Sequence, residues 1–228
     1  AQSTVAFPGE VERGGKWLRA MVKAKQVEYV SPKDVDYILP HHSQMFTGGS
    51  NLVPMISGST AGRLLMGAKF MNQALPLEQP EEPLVQSADI SGRSFDNIYG
   101  EHVGAIKAKG HGVVIGVSDS NIAVKYADGS TQNHELYVNF PFNRKTFLHN
   151  TPLVKIGDKV QPGSVLARSN FTNEKGTMAV GRNLRVGYMP YRGLNYEDAI
   201  VISESAAKKL ASEHMYQNTL SDPEGSMD

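Results

Sequence analysis

The chain has 228 residues, with 23 basic and 23 acidic side chains, seven histidines and no cysteine, for a formal net charge of zero. That length suggests one large or two small domains with ample room for a core. The absence of cysteine excludes a disulfide framework and a thiolate metal site, and balanced charge carries no overall sign of a nucleic-acid partner, although a single basic face would suffice for one. No apolar run approaches the ~20 residues of a membrane helix. The opening AQSTVAFPGE lacks the charged and apolar regions of a signal peptide and starts without Met, so a processed product or fragment is expected.

Along the chain, Gly9, Gly14 and Gly15 read as turns, and the β-prone Gln26–Val30 as a strand stopped by Ser31-Pro32. Residues 41–51 form a polar loop with Gly48 and Gly49. Ser57–Pro76 is the clearest helix. Ser59 or Thr60 can cap it, and Leu64, Leu65, Ala68, Met71 and Leu75 recur at helical spacing until Pro76 ends the pattern. Residues 77–83 are a Pro/Glu-rich connector.

From about Leu84 to Val180 the texture is β. Gly112–Val117 and Asn121–Tyr126 are strands, and Asp128-Gly129 is a hairpin turn before a strand over 131–140. The stretch Val154–Ala167 has the spacing V-x-x-G-D-x-V-x-x-G-x-x-L, a strand, a Gly-Asp turn, a strand, a second glycine turn and a strand. It is a fold signal rather than a chemical one. Ser203–Met215 reads as a helix capped by Ser203 or Ser205, and Ser221–Gly225 as a turn-like tail. Several short strands at close spacing suggest a sandwich or barrel. The fold class expected is mainly β with a few helices (α+β).

Chemistry concentrates at two places. Glu197-Asp198 precedes the apolar run Ala199-Ile200-Val201-Ile202, which would enter a core as a strand and leave the carboxylates at its mouth. On an extended chain two adjacent carboxylates point to opposite sides, so they rarely grip one ion together. Arg63 and Lys69 lie largely off the apolar stripe of the 57–76 helix, and a guanidinium donates bidentate bonds to phosphate oxygens. His41-His42 are adjacent, whereas a helical zinc pair wants a separation of three or four. No D-x-D-x-D run, P-loop or nucleophile elbow occurs.

The segment GRNLRVGYMPYRGLNYEDAIVISES (residues 181–205) resembles the "GRN…V…MP…G.N.EDAI.IS" segment of the β subunit of multisubunit, bacterial-type DNA-directed RNA polymerases. AGRLLMGAKFMNQALP (residues 61–76) resembles the β segment "NRALMGANMQRQAVP". It departs at Gly62 for Asn, Lys69 for Asn and Asn72 for Arg. Val27–Pro32 and Pro83-Leu84-Val85 resemble further β stretches. The V-x-x-G-D pattern is similar both to the β module upstream of GRN and to biotinyl and lipoyl carriers. The likeness runs from about Gln26 to Ser203 and is weak between Ser87 and Thr151.

The resemblance implies a central fragment or split-gene product of a β subunit, and its divergence suggests a phage-encoded enzyme. It implies a barrel-sandwich-like β module and strands contributing to an active-site barrel. The division expected is 1–83 facing nucleotide and RNA, 84–180 the β module, and 181–228 the barrel strand, helix and tail. Arg63, Lys69, Asn72 and Gln73 would contact nucleotide phosphates and RNA. Glu197 and Asp198 would stand near the second Mg²⁺, mostly outer-sphere, in nucleotidyl transfer. The tightly held Mg²⁺ would sit on the aspartate triad of a β′ partner. Other implied partners are the remaining β segments, α-like subunits, a promoter-specificity factor, DNA, RNA and NTPs, with no membrane. The location implied is a cytoplasm, that of the bacterial host for a phage enzyme, or a virion. The alternatives are a biotinyl or lipoyl carrier, which needs a lysine at a hairpin tip, and a β-rich viral structural protein without catalysis.

Overall fold

The structure, a computed structural model, describes residues 3–8, 10, 16–23, 25–39, 41–142 and 146–216. The glycine turns at 9, 14 and 15 and the tail turn at 221–225 lie outside those residues. The chain divides into two compact units, one of Ala1–Asn72 with Val85–Phe95 and one of Gln73–Leu84 with Asp96–Asp228.

In the first unit, β1 (Val5–Ala6), β2 (Leu18–Val22), β3 (Gln26–Val30) and β4 (Tyr37–Ile38) form a sheet of order β3-β2-β1-β4. Its buried face is small, with Ala6, Leu18 and Ala20 packed together. The expected strand Gln26–Val30 is present. It ends where Ser31 accepts a hydrogen bond from Lys33 N–H and Pro32 opens a 3₁₀ turn. The expected loop at 41–51 is instead a 3₁₀ turn, His42–Met45, and a one-turn helix, α1 (Gly48–Asn51), capped by the Thr47 hydroxyl.

Helix α2 (Ala61–Asn72) is shorter than the sequence suggests. The Thr60 carbonyl accepts its first bond, from Leu64 N–H. Pro76 has no N–H to continue the ladder, and its ring would clash with the carbonyl four residues back, at Asn72. The buried stripe is also narrower. Leu64 and Ala68 are buried, while Leu65 is 64% exposed. The short α1 packs on α2, with Gly49 against Ala68, and one turn of helix covers a narrow stripe.

Among the described residues, the second unit holds most of α3 (Phe95–His102) and nine strands. These are β5 (Ile106–Lys107), β6 (Gly112–Val117), β7 (Asn121–Tyr126), β8 (Thr131–Glu135), β9 (Phe140–Phe142), β10 (Thr146–Leu148), β11 (Asn150–Pro152), β12 (Lys159–Val160) and β13 (Val165–Ser169). A final helix, α4 (Glu204–Lys209), is capped by the Ser203 hydroxyl, which accepts from Ala206 N–H at 3.1 Å. Strands β6 and β7 lie where the sequence places them, and the Asp128 carboxylate braces the hairpin turn by accepting from the Ser130 N–H. Of the pattern read over 154–167, the two glycine turns and the last two strands form, with Gly157 and Gly163 at positive φ on either side of β12, while residues 154–156 are not a strand. The 131–140 strand breaks after Glu135.

The expected barrel is corrected by the topology. The sheets run β12-β6-β7-β8, β11-β13-β5 and β10-β9, each linear, and no sheet among the described residues closes on itself. Closure needs the two end strands to pair, and β12 is only two residues long while β8 leaves a free edge. The result is a mixed fold of several small open sheets with short helices. Its main core is Val114, Ile122, Val124, Tyr126, Leu136, Val160, Leu166 and Ala167 with Ala108.

Near the start of α3, Asp96 is 3% exposed and its Oδ2 has no hydrogen-bond partner. Burial pushes its carboxyl from 3.8 up to about 6, helped by the charge of Glu82. A carboxyl whose folded pKa is raised favours folding when protonated. Its contribution is therefore complete below pH ~4 and is lost as pH rises through ~6, by on the order of 2 kcal/mol. Melting curves from pH 4 to 8 should show this decline in the native chain and a flatter profile in Asp96→Asn. Parallel profiles would refute it.

Candidate functional site

Helix α2 presents Arg63 and Lys69 on its exposed side. The Arg63 guanidinium meets only the Met66 sulfur, at 3.9 Å, among the described residues, and no carboxylate neutralises it. Lys69 is likewise exposed. Asn72 closes the helix and Gln73 follows it, both exposed. Leu65 and Phe70 are exposed beside these polar groups.

The second group of site residues rides on an arm spanning residues 184–210. Glu197 and Asp198 lie there, in the other compact unit from Arg63, Lys69 and Asn72. The arm is rooted on one stretch of chain, Pro76–Glu82, at both ends. At its first foot Glu81 N–H donates to the Gly181 carbonyl at 2.8 Å. Arg182 Nη2 stands 3.0 Å from Glu81 Oε1, and its Nη1 donates to the Gln79 carbonyl. The other carboxylate oxygen, Oε2, accepts from Asn183 N–H at 2.9 Å and from Asn183 Nδ2 at 3.1 Å. At the second foot Leu77 bridges Ser212, with Glu78 N–H donating to Ala211 and Glu213 N–H to Pro76.

Within the arm Asn195 is the brace. Its Oδ1 accepts from Tyr191 N–H at 2.8 Å and its Nδ2 donates to the Met189 carbonyl at 2.7 Å. Glu197 and Asp198 follow in a turn closed by Ala199 N–H to the Tyr196 carbonyl, with Glu197 at φ 55°. A left-handed non-glycine residue costs about 1–2 kcal/mol, so the turn is held against strain.

This corrects the strand reading. Residues 199–203 form no strand and enter no core of this chain. Ile200 is 83% exposed and Tyr188 99%. A β-prone run becomes a strand only when an edge pairs with it, and none of the described sheets does. The carboxylates therefore sit in an exposed turn rather than at a strand mouth.

The chain belongs to the RNA polymerase Rpb2 domain 6 family. The family model matches residues 107–224. The chain is 35% identical over 202 residues to the DNA-directed RNA polymerase subunit beta of Syntrophomonas wolfei, 87% of this chain and 18% of that relative. It is 35% identical over 203 residues to that of Prochlorococcus marinus strain MIT 9301, 86% of this chain and 18% of the relative. The subunit of Corynebacterium diphtheriae is 34% identical over 222 residues, 96% of this chain and 18% of the relative. The chain thus spans about a fifth of the length of these β-subunit relatives.

Within this polymerase family the GRN motif acquires a local meaning that sequence reading missed. Arg182 and Asn183 grip Glu81, and the only signal was a Glu-Glu pair in a connector. The hairpin tip at 127–130 is Ala-Asp-Gly-Ser and Lys125 lies inside β7, so the lysine that a biotinyl or lipoyl carrier needs at a tip is missing there. No group of three or more His, Asp or Glu that could hold a metal occurs among the described residues, and no helix there is long and apolar enough to cross a membrane. Two exposed carboxylates alone do not fill the near-octahedral oxygen shell of Mg²⁺. Calorimetric titration of the purified chain with Mg²⁺ should accordingly show no saturable binding in the micromolar range. A micromolar isotherm would reveal ligands beyond this pair.

Proposed function

We propose that this chain supplies part of the nucleotide and metal environment of a DNA-directed RNA polymerase, as a segment of its β-type subunit. The observation that carries the reading is the Gly181–Ser203 motif, with its carboxylate pair held in a strained, exposed turn. The exposed Arg63 guanidinium, with no carboxylate partner among the described residues, supports it. The reaction is nucleotidyl transfer. The RNA 3′-hydroxyl attacks the α-phosphorus of the incoming nucleotide, and pyrophosphate leaves.

Each side chain has a role that its surroundings allow. Arg63 donates two parallel bonds to triphosphate oxygens, and Lys69 adds a mobile positive charge for phosphate. Gln73 and Asn72, with both donors and acceptors, contact the RNA. Glu197 and Asp198 lend negative charge in the outer sphere of the second Mg²⁺. That ion, when bound, would offset charge on the attacking and leaving oxygens. The aspartate triad for the tightly bound ion comes from a β′-like partner. The remaining β segments, α-like subunits, a promoter-specificity factor and DNA complete an enzyme that is inactive without them. The working location is a cytoplasm, that of a bacterial host for a phage-encoded enzyme.

Two measurements on the assembled polymerase test this. Arg63→Ala should raise the apparent KM for NTPs by the loss of a charge-assisted phosphate bond, about 1.5–3 kcal/mol. Its melting temperature should hold, because Arg63 is exposed. Unchanged KM and maximal rate would remove Arg63 from the site. Replacing both Glu197 and Asp198 by Ala should raise the Mg²⁺ concentration for half-maximal elongation and lower the rate without abolishing it. Equal Mg²⁺ midpoints and rates would mean the pair is scaffold.

A further inference from the structure

We infer that Glu81 is a positioning residue, the side chain that roots the 184–210 arm and so fixes where Glu197 and Asp198 stand. The inference rests on the reading of that pair given above. It follows from the unequal construction of the two feet. The second foot, Leu77–Glu78 on Ala211–Glu213, is held by main-chain bonds, which most sequences could make. The first foot has a main-chain bridge too, Glu81 to Gly181, and adds a side-chain clamp centred on one carboxylate. Glu81 takes Arg182 on Oε1 and both Asn183 donors on Oε2, across 102 residues of sequence. Asn183 Nδ2 also reaches the Glu82 carbonyl at 2.9 Å.

The details fit a device for placement rather than for bulk stability. Arg182 Nε is buried without a partner, so the guanidinium is set for its two Nη contacts at the expense of its third donor. The Asn183 backbone N–H, first, and then the Asn183 side chain and Arg182 hold the Glu81 carboxyl below its usual range, so the clamp stays charged through neutral pH. Lys175, 2.8 Å from Glu82, and Lys209 are the other cations facing this stretch. Beyond the clamp the arm has few anchors of its own. Its described hydrogen bonds are the Asn195 brace, the turns at Tyr191–Leu194 and Tyr196–Ala199, and the bonds of α4 with its Ser203 cap. Loss of the carboxylate therefore leaves the first foot on its main-chain bridge and on the Arg182 and Asn183 bonds to the Gln79 and Glu82 carbonyls, and loosens residues 184–198.

Hydrogen exchange of the full chain reads the rooting directly. Glu81→Ala should speed exchange at Asn183 and across 184–198 by on the order of tenfold, the effect of losing one charge-assisted bond, while 211–216 changes little. Glu81→Gln keeps an oxygen for Asn183 and should fall between, which also serves if the Ala variant folds poorly. In the assembled polymerase, Glu81→Ala should shift the Mg²⁺ midpoint in the same direction as the Glu197→Ala/Asp198→Ala pair, by on the order of tenfold as for outer-shell partners of metal sites. Combining all three changes should add nothing further, because Glu81 acts through the pair. Unchanged exchange over 181–198, or additive shifts in the triple variant, would overturn the positioning role. If the pair alone leaves the Mg²⁺ midpoint unmoved, the metal reading fails, and the exchange data still decide whether Glu81 roots the arm.

Discussion

The second unit depends on the stretch Pro76–Glu82 as a strap. It receives Ala211–Glu213 near its start and Gly181–Asn183 near its end, so two points about 30 residues apart in sequence are brought to one short segment. Each junction closes a loop of more than one hundred residues, and such closures carry an entropic cost that rises only slowly with length. The side-chain part of the tie is ionic and multidentate, which gives it direction. A main-chain bridge could hold Gly181 against Glu81, but only the carboxylate fixes Arg182 and Asn183 together.

What the strap carries is chemically unusual for a surface. The arm exposes Tyr188, Met189, Leu194, Tyr196, Ile200 and Ile202, and helix α2 exposes Leu65, Met66 and Phe70. Single exposed apolar residues are ordinary, whereas runs of them mark surfaces that are covered in an assembly. In a chain that spans about a fifth of its β-subunit relatives, this is a coherent pattern. The main hydrophobic core, around Ile122, Val124 and Leu166, lies in the open β sheets and contains no residue of the arm. The β region is built on backbone ladders and apolar burial, while the arm and α2 offer polar groups with few partners.

The open sheets have a similar logic. The strands are two to six residues long, and the end strands of each sheet among the described residues do not pair, so none closes. Gly100 shows how tightly what remains is fitted. A β-carbon there would stand 1.9 Å from the Gly176 carbonyl oxygen, so α3 can approach that turn only as glycine.

Sequence alone determined the features governed by neighbours a few residues apart. The strands at 112–117 and 121–126, the Asp128 turn, the glycine turns at 157 and 163 and a serine cap at 203 or 205 follow from backbone permissiveness and side-chain-to-backbone bonds within one turn. Pro76 marked the end of the 57–76 pattern for the same reason, although the helix stops at Asn72. The family, too, was legible, because its motifs are local strings such as GRN and EDAI. Tertiary structure alone decided whether the sheets close, which side of α2 is covered, and what becomes of Ala199–Ile202. Each of those depends on a partner edge or face that no local pattern encodes. The apolar run reads as a buried strand because its composition suits one, yet a strand exists only where another edge offers hydrogen bonds. The tie between Glu81 and Arg182-Asn183 belongs to the same class. Nothing near either residue announces the other, and only the folded chain brings a carboxylate in a connector to the donors 102 residues away.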